Sequence, residues 1–242
     1  WRNGTTLLHE LLALDTRFAY PNWFEATNPH CFLTREEIFA RMRARMPARK
    51  RPMDNMAITF ESPGEDEFGL SVMSLRSPEM GLAFARRQEY YDRYLSFRGV
   101  PEGELREFTS ALTLLLQKLT YKHQRPLILK SPAHTARVAI LRKLFPEARF
   151  VHIIRDPGVV YRSMIRLYEK TLPGRFLQQP PEGSIEAGIL RRYSLMYDAF
   201  LNECGAIPEG RFCEVRFEEL ERDMVGQVAR IYRELELPDF EA

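Results

Sequence analysis

Phe150-Val-His-Ile-Ile154 runs straight into Arg155-Asp-Pro-Gly-Val-Val-Tyr-Arg-Ser163. A short apolar run ending in Asp-Pro reads as a buried strand that feeds a helix, with Asp156 as N-cap and Pro157 at the first helical position. The same grammar occurs just upstream. Leu127-Ile-Leu-Lys130 follows Pro126 and precedes a helical pattern over 133–144, and a second helical pattern covers 157–171. Strand, helix, strand, helix is the signature of a right-handed βαβ unit and a parallel sheet. A third run, Arg211-Phe-Cys-Glu-Val-Arg-Phe217, leads into a helix near 224–236. Further helices are predicted at 6–14, 34–46, 80–97, 104–123 and 184–203. In the fourth of these, apolar residues at 105, 108, 112, 115, 116 and 119 have helical spacing. There is no internal repeat and no domain boundary, so residues 1–242 read as one α/β domain.

Composition narrows the classes. Of 242 residues, 45% are hydrophobic and 28% charged, which suits a folded domain with its own core and excludes disorder. The formal net charge of +2 argues against a protein that coats nucleic acid through bulk charge. The longest apolar runs, such as Leu112–Leu116, are far shorter than the roughly 20 residues of a membrane span. Cys31, Cys204 and Cys213 are odd in number and form no C-x-x-C pair, so neither a disulfide framework nor a zinc site is expected. The chain starts at Trp1 rather than Met, so leader logic does not apply to it; a cytoplasmic location is the expectation.

The charge is unevenly spread. Lys122–Lys170 holds eleven Lys/Arg against three Asp/Glu, whereas Glu209–Ala242 holds five against ten. The run Arg41–Arg51, with six Lys/Arg and no acid, reads as a solvated face. The 122–170 surplus coincides with the core strands and points to an anionic ligand.

Two segments suit an anion. Trp1-Arg-Asn-Gly-Thr-Thr6 opens a helix: glycine lets backbone approach, helix amides face outward and hydroxyls add donors, although an N-cap without a ligand has the same look. The Gly-x4-Gly-Lys-[Ser/Thr] pattern of ATPases and kinases is absent. Arg155 stands at the carboxyl end of a strand, where open α/β sheets place ligands, and Ser163 lies about two turns along the next helix. Together they offer a guanidinium fork and a hydroxyl; Arg155 as a surface arginine is the alternative.

Taken together, these residues resemble the sulfotransferases that use 3′-phosphoadenosine 5′-phosphosulfate (PAPS). Arg2-Asn-Gly-Thr-Thr6 looks like their 5′-phosphosulfate loop, with Asn3 where Ser or Thr is usual. Arg155-x7-Ser163 looks like their 3′-phosphate motif, Leu129-Lys-Ser-Pro132 like the segment that brings in a lysine, and Phe212-Cys-Glu-Val-Arg-Phe-Glu-Glu-Leu220 like the adenine-side segment. The motifs stand in family order, and the match is to the bacterial-type branch, akin to tyrosylprotein and heparan sulfotransferases. The resemblance implies a P-loop-like three-layer α/β/α fold with a central parallel sheet. It implies that Asn3, Gly4, Thr5, Thr6 and Arg2 hold the 5′-phosphosulfate, that Arg155 and Ser163 hold the 3′-phosphate, and that Phe217, in place of the usual Tyr, lines the adenine. Lys130 and Arg2 would stabilise charge during transfer, PAPS would leave as 3′,5′-ADP, and no metal is required. The first strand and a cofactor lid are expected to lie outside this chain, making it a fragment.

Sulfuryl transfer also needs a group to take the acceptor's proton. By position in the Glu-using branches, Glu25 in Trp23-Phe-Glu-Ala-Thr-Asn-Pro-His30 is the candidate base; an ion pair with Arg2 or Lys130 is compatible with that. Glu65, in Glu61-Ser-Pro-Gly-Glu-Asp-Glu67, either lines the acceptor pocket or begins a surface helix. His30 reads as a turn residue and His134 as a helix-start residue near the nucleotide. The expected partner is a small-molecule or carbohydrate acceptor, not nucleic acid. The rival classes are a P-loop kinase-like phosphotransferase and a non-catalytic nucleotide- or polyanion-binding relative.

Overall fold

The computed structural model describes residues 1–45, 49–50, 56–238 and 240. Three helices begin the chain: α1 Thr5–Leu12, α2 Trp23–Thr27 and α3 Glu36–Arg45. A two-residue antiparallel pair follows, β1 Arg49–Lys50 with β2 Ala57–Ile58. Of the basic run Arg41–Arg51, residues 46–48 and 51 lie outside the described residues. Next come α4 Asp66–Ser74, α5 Met80–Ala83, α6 Gln88–Asp92 and the long α7 Glu102–His123. A 3-10 turn over Pro132–Ala136 leads to α8 Val138–Leu144, β3 Phe150–Ile154, α9 Pro157–Lys170 and α10 Ser184–Glu203. The remaining elements are β4 Phe212–Arg216, α11 Phe217–Arg222 and α12 Met224–Glu234.

β3 is one of the two strands of the site-bearing sheet. β3 and β4 pair in parallel, Phe150 with Phe212 through to Ile154 with Arg216. Their side chains alternate with the pleat. Ile153, Cys213 and Val215 pack with Leu8 and Leu12 of α1 and with Leu220, Val228 and Ile231 of α11 and α12. His152 faces the other way, its ring centroid 4.0 Å from that of Phe200 on α10, and Phe212 lies on that side too. The sheet is thus covered by helices on both faces, and the layers match the expected α/β/α order.

The Leu127-Ile-Leu-Lys130 run behaves differently. It pairs with the chain leaving α1 through one parallel bridge, Ala19 with Leu127, where Ala19 N donates to Pro126 O and Ile128 N donates to Ala19 O, both at 2.8 Å. The next donor of a parallel ladder would be residue 21, which is proline and has no N–H. The pairing stops there.

Two predicted helices are broken. The 80–97 stretch divides at Phe84, whose backbone (φ −102, ψ 62) leaves the helical region. The 133–144 stretch divides at Arg137, whose guanidinium donates to the carbonyls of Tyr94 and Leu95 and to Glu67, pulling its backbone to φ −123, ψ 21. The largest apolar cluster, with Phe24, Phe32, Leu70, Phe97, Phe108, Leu112 and Leu115, joins α2, α4 and α7 beside this arginine.

Candidate active site

The N-terminal loop is built around two left-handed residues, Arg2 (φ 63) and Gly4 (φ 92). Backbone of alternating hand forms concavities that hold anions, and here it ends at the N-terminus of α1. Gly4 is required for a second reason: a Cβ there would come within 2.0 Å of the Phe217 ring. Asn3 ties the loop to the sheet by donating from Nδ2 to Ile153 O at 3.0 Å, and its side chain also bonds the Tyr197 hydroxyl. A hydroxyl in place of this amide could not span both, which explains the departure from Ser or Thr.

Arg155 and Ser163 join that loop. Arg2 Nε donates to Ser163 Oγ at 3.0 Å, and Arg155 donates to Arg2 O at 3.3 Å. The Arg155 guanidinium lies 4.1 Å from the centroid of the buried Phe217 ring. Asp156 caps α9 by accepting from Val159 N at 2.8 Å, which fixes the turn between Arg155 and Ser163. Arg2, Asn3, Gly4, Arg155, Ser163 and Phe217 therefore meet at one corner, with Thr5 and Thr6 half-buried at the start of α1. Phe217 packs between Gly4 and Arg155, supporting the loop and the cation.

Lys130 approaches from the neighbouring segment. Its ammonium donates to Glu65 Oε1 at 2.7 Å. Glu65 is delivered by a tight passage: Trp23 N donates to Ser62 O, Gly64 N donates to Pro21 O, and a Cβ on Gly64 would meet Ala26 Cβ at 2.9 Å. The charge of Lys130 reaches His9 on α1: burial first, then Lys130, lowers the His9 imidazole to about 3, so it is neutral near pH 7. The turn after Lys130 also comes close to the loop, since Thr135 and Asn3 line one cavity of about 230 Å³ walled by Tyr161, Tyr193 and Met196.

Three consecutive acids at the start of α4 meet three bases in the same order. Glu65 binds Lys130, Asp66 binds His134 at 2.7 Å, and Glu67 binds Arg137 through two bonds at 2.6 and 3.0 Å. The last pair is fully buried and is completed by Ser77 and Ser131, which donate to Glu67 at 2.6 and 3.2 Å. The sequence reading picked out Glu65 and Lys130 but not this ladder. The signal was present as Glu65-Asp-Glu67 against Lys130-x3-His-x2-Arg137, but nothing in one sequence pairs the two. Near the ladder, half-buried Glu79 has its carboxyl pushed up to about 7 by burial and then by the charges of Glu65 and Glu67.

Glu25 is bound by the end of α7. It has no exposed surface, and its carboxylate is filled: Asn22 N donates to it at 3.0 Å, His123 lies at 3.0 and 3.2 Å, and Lys122 at 3.0 Å. With Asn22 accepting from Glu25 N it forms the capping box of α2. Burial alone would raise its carboxyl; the bonds from His123, Asn22 and Lys122 outweigh that and lower it. The expected pairing with Arg2 or Lys130 is not what the structure shows, because the cations at the end of α7 occupy this carboxylate and Glu65 occupies Lys130. Among the described residues, no group of three His, Cys, Asp or Glu is arranged to hold a metal, and no helix is long and apolar enough to cross a membrane.

The model of the sulfotransferase family matches residues 1–242. The chain belongs to the sulfotransferase family. It is 37% identical over 241 residues to the omega-hydroxy-beta-dihydromenaquinone-9 sulfotransferase Stf3 of Mycobacterium bovis and of Mycobacterium tuberculosis, a match that covers 100% of this chain and 62% of each relative. The chain thus spans about three-fifths of the length of these relatives. Among solved structures, sulfotransferase STF1 of Mycobacterium tuberculosis aligns with a TM-score of 0.74 at 20% identity, over 98% of this chain and 65% of that one. STF9 of Mycobacterium avium aligns with a TM-score of 0.63 at 18% identity, over 98% and 62%. The fold is therefore the P-loop-like α/β fold of sulfotransferases.

Proposed function

We propose that this chain carries the donor site and transfer centre of a PAPS-dependent sulfotransferase acting on a hydroxyl of a small, largely apolar molecule. The observation that carries the donor assignment is the corner where Arg2, Ser163, Arg155 and the N-terminus of α1 converge. Its chemistry fits a nucleotide with two separate anionic groups. Guanidinium forks and a hydroxyl suit the 3′-phosphate, while the loop Arg2–Thr6 suits the 5′-phosphosulfate. The missing Lys after Gly4 disfavours a kinase.

PAPS supplies the sulfuryl group as an electrophile. Lys130, half-buried and released from Glu65, offset the negative charge that collects on the bridging oxygen as the S–O bond lengthens. Glu65 holds Lys130 in position when no donor is present. Arg155, stacked on Phe217, is pre-oriented toward the 3′-phosphate. The acceptor class rests on the name of the relative, whose acceptor is an omega-hydroxylated menaquinone. Calorimetry with this chain tests the donor reading: 3′,5′-ADP is expected to bind at least about tenfold tighter than 5′-AMP, roughly 1.4 kcal/mol. Equal affinities would overturn it.

A further inference from the structure

We propose that His134, oriented by Asp66, takes the proton from the acceptor hydroxyl. The proposal rests on the sulfuryl-transfer reading and adds the group that reading leaves unassigned. Glu25 is fully buried with its oxygens engaged, and Glu65 is bound to Lys130. The remaining member of the ladder next to Lys130 is the Asp66–His134 pair.

Its geometry is that of an oriented base. Asp66 is fully buried, and the Nε2 of His134 lies 2.7 Å from its Oδ2. Burial would raise the Asp66 carboxyl, but His134 and then Arg137 lower it, so Asp66 is a carboxylate that can only accept. Nε2 must therefore carry the hydrogen, and in the neutral ring Nδ1 presents a lone pair. That Nδ1 is buried and makes no hydrogen bond among the described residues. Leaving such an atom unmet costs about 1–3 kcal/mol, and a native fold keeps it only for a reason. A hydroxyl of the acceptor is the donor it lacks.

Glu67 and Asp66 from α4 face the ring, Lys130 and Arg137 flank it on its own segment, and the neutral His9 of α1 lies beside Asp66 and Lys130. In the step, the acceptor oxygen forms its bond to sulfur as the bond between sulfur and the bridging oxygen breaks. The hydroxyl proton passes to His134 Nδ1, the electron pair of the broken bond leaves with 3′,5′-ADP, and the imidazolium stays paired to Asp66 until it loses the proton to water.

Three measurements on the whole chain test this, with labelled PAPS as donor and farnesol, an apolar primary alcohol, as acceptor probe. His134→Ala is expected to slow sulfate transfer by about 10²–10⁴-fold while 3′,5′-ADP affinity stays within about twofold. Added imidazole is expected to restore part of the rate, which a structural role would not allow. Nitrogen NMR of the histidines is expected to show His134 protonated on Nε2 only. A loss below about threefold, no rescue by imidazole, or a proton on Nδ1 would each overturn the proposal. Should His134→Ala not fold, His134→Gln keeps a donor for Asp66 but has no basic nitrogen; full turnover in that variant equally overturns it. Failure of the donor reading would appear separately, as absence of any preference for 3′,5′-ADP, and the NMR result still decides His134.

Discussion

Two clusters of charge in this molecule do opposite jobs. At the Glu67–Arg137 pair every polar atom is buried and matched: two bonds between the ions, two serine hydroxyls on the carboxylate, and two backbone carbonyls on the guanidinium. At the Arg2–Arg155–Ser163 corner the side chains are half-buried: Arg2 donates to the Ser163 hydroxyl and Arg155 donates to the Arg2 carbonyl. Among the described residues no carboxylate is seen bonding Arg155. The first cluster is satisfied by the protein and locks α4, the Tyr94–Leu95 segment after α6 and the 3-10 turn together. The second holds the Arg155 guanidinium against the Phe217 ring and one backbone carbonyl, where an anionic ligand can add charge-assisted bonds.

The largest expected effect breaks the comparison from its structural side. Removing one partner of a buried pair strands the other charge, so Arg137→Met should destabilise the fold by about 3–5 kcal/mol, measured by urea denaturation. Glu25→Ala, which strands Lys122 and His123 and removes a cap, should cost about 2–4 kcal/mol while donor affinity is unchanged. Loss of sulfate transfer with 3′,5′-ADP affinity retained, at a temperature where the variant remains folded, would make Glu25 the base after all.

Arg155→Ala tests the other side. Affinity for 3′,5′-ADP should fall by about 10–100-fold, the worth of charge-assisted bonds at about 1.5–3 kcal/mol, with stability altered by less than about 1 kcal/mol. A stability loss matching that of Arg137→Met would erase the distinction between the clusters. Gly4→Ala should weaken both stability and donor binding, since the added Cβ strikes Phe217 and adopts a left-handed backbone costing about 1–2 kcal/mol.

A separate effect is in pH. His9 is held neutral by burial with its imidazole lowered to about 3 from 6.5, so the unfolded chain binds a proton that the folded chain refuses. Stability from this group is complete above pH 6.5 and is lost as pH falls toward 3, by up to about 1.4 kcal/mol per unit. His9→Phe should flatten that slope between pH 6 and 4 in thermal melts; an unchanged slope would assign it to other groups.

Much of the proposed donor corner was legible because its parts lie within short motifs. Arg2–Thr6 and Arg155–Ser163 each carry their own turn chemistry, and β3 leads directly into the second, so local grammar sufficed. The transfer centre was only half legible. Lys130 was readable from its segment, but its partner was not, and Glu25 shows why. A carboxylate after the phosphate helix has the right position along the chain, yet Asn22 caps α2 onto it and the end of α7 supplies Lys122 and His123. Those cations lie about a hundred residues away in sequence, and no spacing rule reaches them.

The sequence by itself determined the alternation of strand and helix, the glycine-bearing loop at the start of α1, and the excess of positive charge around residues 122–170. These follow from periodicity, capping and composition, which act over a few residues. Only the tertiary structure decided which acid meets which base. Pairing depends on how α4 and the 3-10 turn pack, and burial sets whether a carboxylate serves the fold or faces a ligand. For this reason Glu65, Asp66 and Glu67, adjacent in the chain, end beside three different cations and take three different parts.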